Sequence, residues 1–172
     1  DGAMNIAPTL EQKAQIISNA VALAQLFEID APKVAVLSAV EVVTPKIVST
    51  MDAAALAKMS DRNQFSGGIV DGPLALDNAI NPAAAKYKKI GGPVAGQADI
   101  LLVPDIVSGN ALAKTFAHIT GGTAAGVIFG AKVPGHFSRR ARVPSRYSIR
   151  QRPCVCERAE MRIVSWNVHG PR

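Results

Sequence analysis

Lys33-Val34-Ala35-Val36-Leu37-Ser38-Ala39, directly after Pro32, is short, apolar and β-branched, with no polar–apolar alternation. A strand with one wet face alternates, so this run reads as a strand covered on both faces, as in a parallel sheet. Upstream, Pro8-Thr9-Leu10-Glu11-Gln12 reads as a helix start, with Thr9 able to cap and Gln12 three residues on, as in a capping box. Leu10, Ala14, Ile17, Val21 and Ala24 then recur at three or four residues, an amphipathic helix of roughly five turns. Pro32 stops it.

Downstream the alternation repeats. Ser49–Met59 reads as a helix with Ala53, Leu56 and Met59 on one side. Gly67-Gly68-Ile69-Val70 reads as a strand ending at Asp71-Gly72-Pro73. Asn81-Pro82 opens a helix, a cap followed by Pro at the first position. Asp99–Val103 is a third strand, ending at Pro104-Asp105. Asn110–Ile119 is a helix closed by Gly121-Gly122, and Ala125–Phe129 is a fourth strand. Strands alternating with helices imply an α/β fold, a three-layer parallel sheet with helices on both faces. Four strands are few for a complete doubly wound domain, so the chain is expected to be incomplete. In such a sheet ligands bind at the carboxyl ends of the strands. Those ends fall at 38–45, 71–78, 104–110 and 130–134.

The chain has 172 residues and a formal charge of +6, unevenly spread. Residues 1–134 carry nine Lys, one Arg and eleven acidic residues, a charge of −1, whereas residues 135–172 carry nine Arg and two Glu, a charge of +7. The basic character belongs to an Arg-rich tail and not to the domain, so a nucleic-acid reading applies to the tail alone. Aromatics are 5% of the residues, so the core must come from Ala, Val, Ile and Leu. No apolar run of about 18 residues suggests a membrane span, no signal peptide is visible at Asp1-Gly2-Ala3-Met4, and the cytoplasm is the expected compartment.

Two stretches could carry chemistry. In Val70–Ile80, Gly72 could let the backbone approach a ligand, while Asp71, Asp77 and Asn78 supply hydrogen-bonding groups in a compact turn. The same residues also make an ordinary turn with capping Asp side chains. Pro104–Asn110 opens a helix, and a phosphate could sit on Ser108, Gly109 and Asn110; simple N-capping by Ser108 or Asn110 explains the pattern equally. Gly121-Gly122-Thr123-Ala124-Ala125-Gly126 precedes a strand and lacks a following Lys-Ser or Lys-Thr pair, so it reads as a helix stop and not a phosphate loop. His118 suits a helix C-terminus and has no ligand set around it. Cys154-Val155-Cys156 has no partner pair, so no metal site is expected, and its two cysteines are too close for a good internal disulfide.

Val34–Glu41, Gly67–Ile80, Pro93-Val94-Ala95-Gly96, Ala98–Asp105 and Ser108-Gly109-Asn110, in that order and spacing, resemble the phosphate acetyl/butyryltransferase family over residues 1–134. The resemblance implies a fold similar to the isocitrate and isopropylmalate dehydrogenase type, with two α/β domains around a cleft. It implies acyl transfer between coenzyme A and inorganic phosphate, with coenzyme A as a substrate, no separate cofactor, and a homo-oligomer. Matched to the family's cleft-facing loops, Asp71, Gly72, Pro73, Asp77, Asn78, Ser108, Gly109 and Asn110 are the substrate-binding candidates; no residue is assigned a catalytic role. Asp1–Pro8 resembles the family's interior, so an N-terminal portion, with the family's other phosphate-binding arginines, is expected upstream.

The chain departs from the family after Val133-Pro134. A Ser-Arg pair is present at Ser138-Arg139, but no acid follows until Glu157, and Pro144, Pro153 and Pro171 oppose the family's C-terminal helix. Residues 135–172 are expected to be a disordered or frame-altered tail. Within it, Met161–Gly170 looks like the opening strand of an endonuclease/exonuclease/phosphatase protein, whose Asn at the place of Asn167 lies near a metal, but one strand cannot bury a core. The expected function is acyl transfer, with doubtful activity for the chain alone. The alternatives are a non-catalytic phosphate or coenzyme A-binding module, or nucleic-acid binding through the Arg tail, the last disfavoured because few aromatics interleave the arginines.

Overall fold

The computed structural model describes residues 2–119 and the strand segments 124–129, 135–136 and 162–167. In chain order the elements are α1 (Leu10–Gln25), β1 (Lys33–Leu37), α2 (Val48–Asp61), β2 (Ile69–Leu74), α3 (Leu76–Ile80), α4 (Pro82–Tyr87), β3 (Ile100–Leu102), α5 (Ile106–His118), β4 (Ala124–Phe129), β5 (Gly135–His136) and β6 (Arg162–Asn167). The helix starts follow local chemistry. Thr9 and Gln12 form the expected capping box on α1, and the Asn81 side chain accepts the Ala83 and Ala84 N–H groups ahead of Pro82. Leu26 ends α1, and Glu28 turns the chain with φ 62° before Pro32.

β1 is the centre of a parallel sheet ordered β2-β1-β3. Its side chains alternate between two cores, as a doubly covered strand requires. Val34 and Val36 join Ile16, Ile17 and Val21 of α1 and Ala53 and Leu56 of α2. Ala35 and Leu37 join Leu74, Ala79 of α3, Ala85 of α4, and Val94 and Ala95 of the following loop. Helices therefore cover both faces. The apolar stripe of α1 differs slightly from the expected one. Ile16, Ala20 and Leu23 are buried beside Ile17, Val21 and Ala24, while Leu10 at the open end stays exposed.

Three boundaries differ from expectation. β2 does not end at Asp71-Gly72-Pro73; it runs on to Leu74. Ala35 pairs with Asp71 and Leu37 with Leu74, so Gly72 and Pro73 together face Val36 in a bulge. β2 is an edge of this sheet, where a residue without an N–H is tolerated. A Cβ on Gly72 would lie 2.8 Å from the Val36 carbonyl oxygen and 2.9 Å from the Val36 Cβ, so only glycine lets β2 pack this closely on β1. Second, α5 begins at Ile106, capped by Asp105, and not at Asn110. Third, the strand expected at Ala125–Phe129 forms, but it does not extend the first sheet. It pairs antiparallel with β5 and parallel with β6, and β3 offers a strand of only three residues to a new neighbour. Residues 135–172 thus contribute two strand segments; their remainder lies outside the described residues.

Candidate functional site

The loops at the carboxyl ends of β1, β2 and β3 meet along one edge of the sheet, where an α/β sheet places its ligands. The β1–α2 loop is held from within. The Thr50 hydroxyl oxygen accepts the Thr44 N–H at 2.9 Å and lies 2.7 Å from the Ile47 carbonyl, to which the hydroxyl can donate. Thr50 is fully buried, so one side chain stands in for the missing side-chain cap of α2. Ser38 and Ser49 hydroxyls meet at 2.8 Å across the loop.

On the β2 side stands a hydrogen-bonded network of Glu41, Asp77, Asn78 and Lys88. Asn78 is fully buried in α3. Its Nδ2 donates to Glu41 Oε1, and the same oxygen accepts Lys88 Nζ at 3.0 Å. Lys88 also pairs with Asp77 at 3.3 Å. These contacts, first that with Glu41, hold the Lys88 ammonium above the ordinary lysine pKa. Asn78 Oδ1 is the buried side-chain oxygen left without a partner among the described residues.

On the β3 side is an open cleft of about 420 Å³. Ala7, Pro8, Val48 and Pro104 give it apolar walls, and Ser49, Lys13, Asp52 and Asp105 its polar lining. Lys13 Nζ donates to Asp52 Oδ2 at 2.6 Å, with the lysine side chain 7% and the aspartate 23% exposed. Asp105 is committed to its own helix: its carboxylate accepts the Ser108 N–H at 2.8 Å and the Ser108 hydroxyl at 2.9 Å. Those bonds, the backbone one first, hold its carboxyl below the ordinary aspartate pKa, and the Lys13 charge adds to them.

The expected site residues fall into two separate groups, and none of the eight lines this cleft. Asp71 accepts the Gly72 N–H at 2.8 Å. Gly72 is packed against Val36 and Ala53, so it serves strand packing and not open access to a ligand. Pro73 is buried in β2. Asp77 and Asn78 belong to a helix and not to a compact turn, and neither caps it. At the start of α5 the Ile106, Ser108 and Gly109 N–H groups have protein acceptors. Ile106 donates to the Ile6 carbonyl and Gly109 to the Asp105 carbonyl, and Ser108 donates to the Asp105 carboxylate. The Asn110 amide donates to the Gly2 carbonyl at 3.1 Å. Ser108, Gly109 and Asn110 thus lie in the opening turns of α5, behind the Asp105 cap.

Residues that the sequence reading did not single out do more. Lys13 could have been found, because a lysine one turn before Ile17 sits on the apolar stripe of α1. Asp52, Glu41 and Lys88 carry no such local signal. Among the described residues no group of three or more His, Cys, Asp or Glu could hold a metal, and no helix is long and apolar enough to cross a membrane. His118 lies in the last turn of α5 as expected. Gly121-Gly122, Ser138-Arg139 and the two cysteines lie outside the described residues.

Residues 1–144 match the sequence profile described as phosphate acetyl/butaryl transferase. The chain belongs to that family. It is 52% identical over 141 residues to the phosphate acetyltransferase of Rhizobium meliloti, covering 82% of this chain and 45% of that protein. It is 47% identical over 141 residues to the phosphate butyryltransferase of Clostridium acetobutylicum, covering 82% and 47%. Among solved structures, a branched-chain phosphotransacylase from Enterococcus faecalis V583 superposes with a TM-score of 0.63 at 41% identity, covering 68% of this chain and 42% of that one. This family chain therefore spans about half the length of the curated relatives it matches.

Proposed function

We propose that this chain is part of a phosphate acyltransferase that moves an acetyl or butyryl group between coenzyme A and inorganic phosphate. The family match over residues 1–144 carries the reading, and relatives named for acetyl and for butyryl transfer stand at similar identity. In this reaction a phosphate oxygen forms a bond to the thioester carbonyl carbon, the carbon–sulfur bond breaks, and the coenzyme A thiolate leaves and takes a proton. Such a step needs donors fixed where charge develops, and the strand-tip edge is where this sheet presents side chains.

In this reading the parallel sheet is part of one of two α/β domains around a cleft, similar to the isocitrate and isopropylmalate dehydrogenase type. Asp71, Gly72, Pro73, Asp77, Asn78, Ser108, Gly109 and Asn110 belong to the strand-tip segments that frame the substrate. Their polar side chains bond largely to other protein groups, near and distant in the chain, so what they contribute is the shape of the rim. A homo-oligomer in the cytoplasm, without nucleic acid, completes the picture.

The alternative, a binding module without turnover, is favoured by the way the strand-tip polar groups satisfy one another, Asn78 and Lys88 at Glu41 and Asp105 at Ser108, which leaves few donors for a transition state. The test is thioester formation from acetyl or butyryl phosphate and coenzyme A, alongside calorimetry with coenzyme A. Coenzyme A binding with turnover far below that of a full-length relative is expected. Absence of both coenzyme A binding and phosphate binding overturns the reading.

A further inference from the structure

The Lys13 ammonium is the point at which the cleft is chemically unfinished. It is buried, yet among the described residues its only hydrogen-bond partner is Asp52. An ammonium has three donors, so two have no partner among the described residues, and Lys13 is one of the residues that line the open cleft. Buried donors are costly to leave unmade, which gives an incoming acceptor a directional reason to bind there.

The charge balance says what kind of acceptor. Lys13 is already neutralised by Asp52, and Asp105 adds a second carboxylate, so the lining carries one positive and two negative side chains. A phosphate would enter against net negative charge. A neutral carbonyl oxygen would not, and the walls of Ala7, Pro8, Val48 and Pro104 are apolar. The cleft therefore suits a slender neutral group with a carbonyl oxygen in a mainly hydrocarbon frame.

We propose that this cleft binds the acylated pantetheine arm of the thioester substrate, with an amide or thioester carbonyl accepting from Lys13 Nζ, and that phosphate binds elsewhere. This rests on the acyltransferase reading and extends it by placing one part of the substrate. Val48 is 69% exposed at the mouth of the cleft, so a larger side chain there obstructs entry while leaving the core intact.

Calorimetry of the full chain with S-acetylpantetheine, and separately with inorganic phosphate, tests the placement. For Val48→Trp, at least a tenfold loss of S-acetylpantetheine affinity is expected, with phosphate binding unchanged. A spectrum of native helix content and an unchanged melting temperature confirm that Val48→Trp is folded. Equal binding of the thioester by both forms overturns the placement, as does competition between phosphate and the thioester, or no thioester binding at all. Thioester binding that Val48→Trp abolishes, in a chain whose full-length form transfers no acyl group, overturns the acyltransferase reading and leaves the placement standing. Acyl transfer that Val48→Trp leaves unchanged does the reverse.

Discussion

The two sides of the strand-tip edge handle a lysine in opposite ways. Lys88, beside β2, is 40% exposed and shared between Glu41 and Asp77, and it sits over a buried amide that reaches the same Glu41 oxygen. Lys13, beside β3, is buried against one carboxylate. An exposed, screened cation gives up little hydration and returns little energy. A buried one has given up most of its hydration, so its single partner matters far more. The first arrangement pins loops together; the second keeps donor capacity that a ligand can use.

The largest effect is therefore expected at Lys13. Lys13→Met leaves the Asp52 carboxylate partly buried without its partner, and the expected loss is about 3 kcal/mol, toward the lower end for a broken buried pair because Asp52 retains some solvent contact. Urea unfolding of the single variants Lys13→Met and Asp52→Leu and of the double variant measures it. The double variant should be more stable than the sum of the singles predicts. Additive losses would mean that the pair is not coupled and that the contrast between the two lysines is empty.

A smaller effect is expected at the neighbouring Asp105, which caps α5 and does not face an ion-pair partner. Asp105→Ala should cost about 1 kcal/mol, the usual effect of a lost N-cap. The pH dependence has a definite sign. The folded carboxyl titrates below its unfolded value, so its contribution is complete above the unfolded aspartate range and is lost as pH falls through the folded value. Wild type and Asp105→Ala should therefore converge in stability on acidification. A gap that stays constant to strongly acid pH would show that the cap does not depend on the charge of the Asp105 carboxylate.

What the sequence made legible was local. The capping box at Thr9 and Gln12, the Asn81-Pro82 start and the doubly buried run Val34–Leu37 each depend on neighbours a few residues away, and each stands where expected. The family resemblance was legible too, from motif order. What failed depended on distant partners. The passage of β2 through Asp71-Gly72-Pro73 is set by Val36 across the sheet. The start of α5 was obscured because Asp105, Ser108 and Asn110 are all good caps, and the choice is made with help from Ile6, which takes the Ile106 N–H. Lys13 and Asp52 are 39 residues apart, and no local rule joins them.

Lys88 sharpens the comparison because its effect should be the smallest and of opposite pH sense. The exposed side chain is held charged by Glu41 first and Asp77 after it. Its folded pKa is raised, so its contribution is present below the ordinary lysine value and is lost as pH rises through the folded one. At neutral pH, Lys88→Met should leave urea stability unchanged within error, since exposed pairs contribute little. The informative measurement is the ammonium titration of Lys88 by NMR, in wild type and in Glu41→Gln. Removing the Glu41 charge should bring the titration down toward the ordinary value, with Asp77 retaining part of the shift. The variant should also leave the Asn78 amide its acceptor, because a glutamine carbonyl oxygen can take the same hydrogen bond. A Lys88 titration that does not move would show that Glu41 serves Asn78 alone, and the β2 side would then hold a buried amide contact beside an unrelated surface lysine.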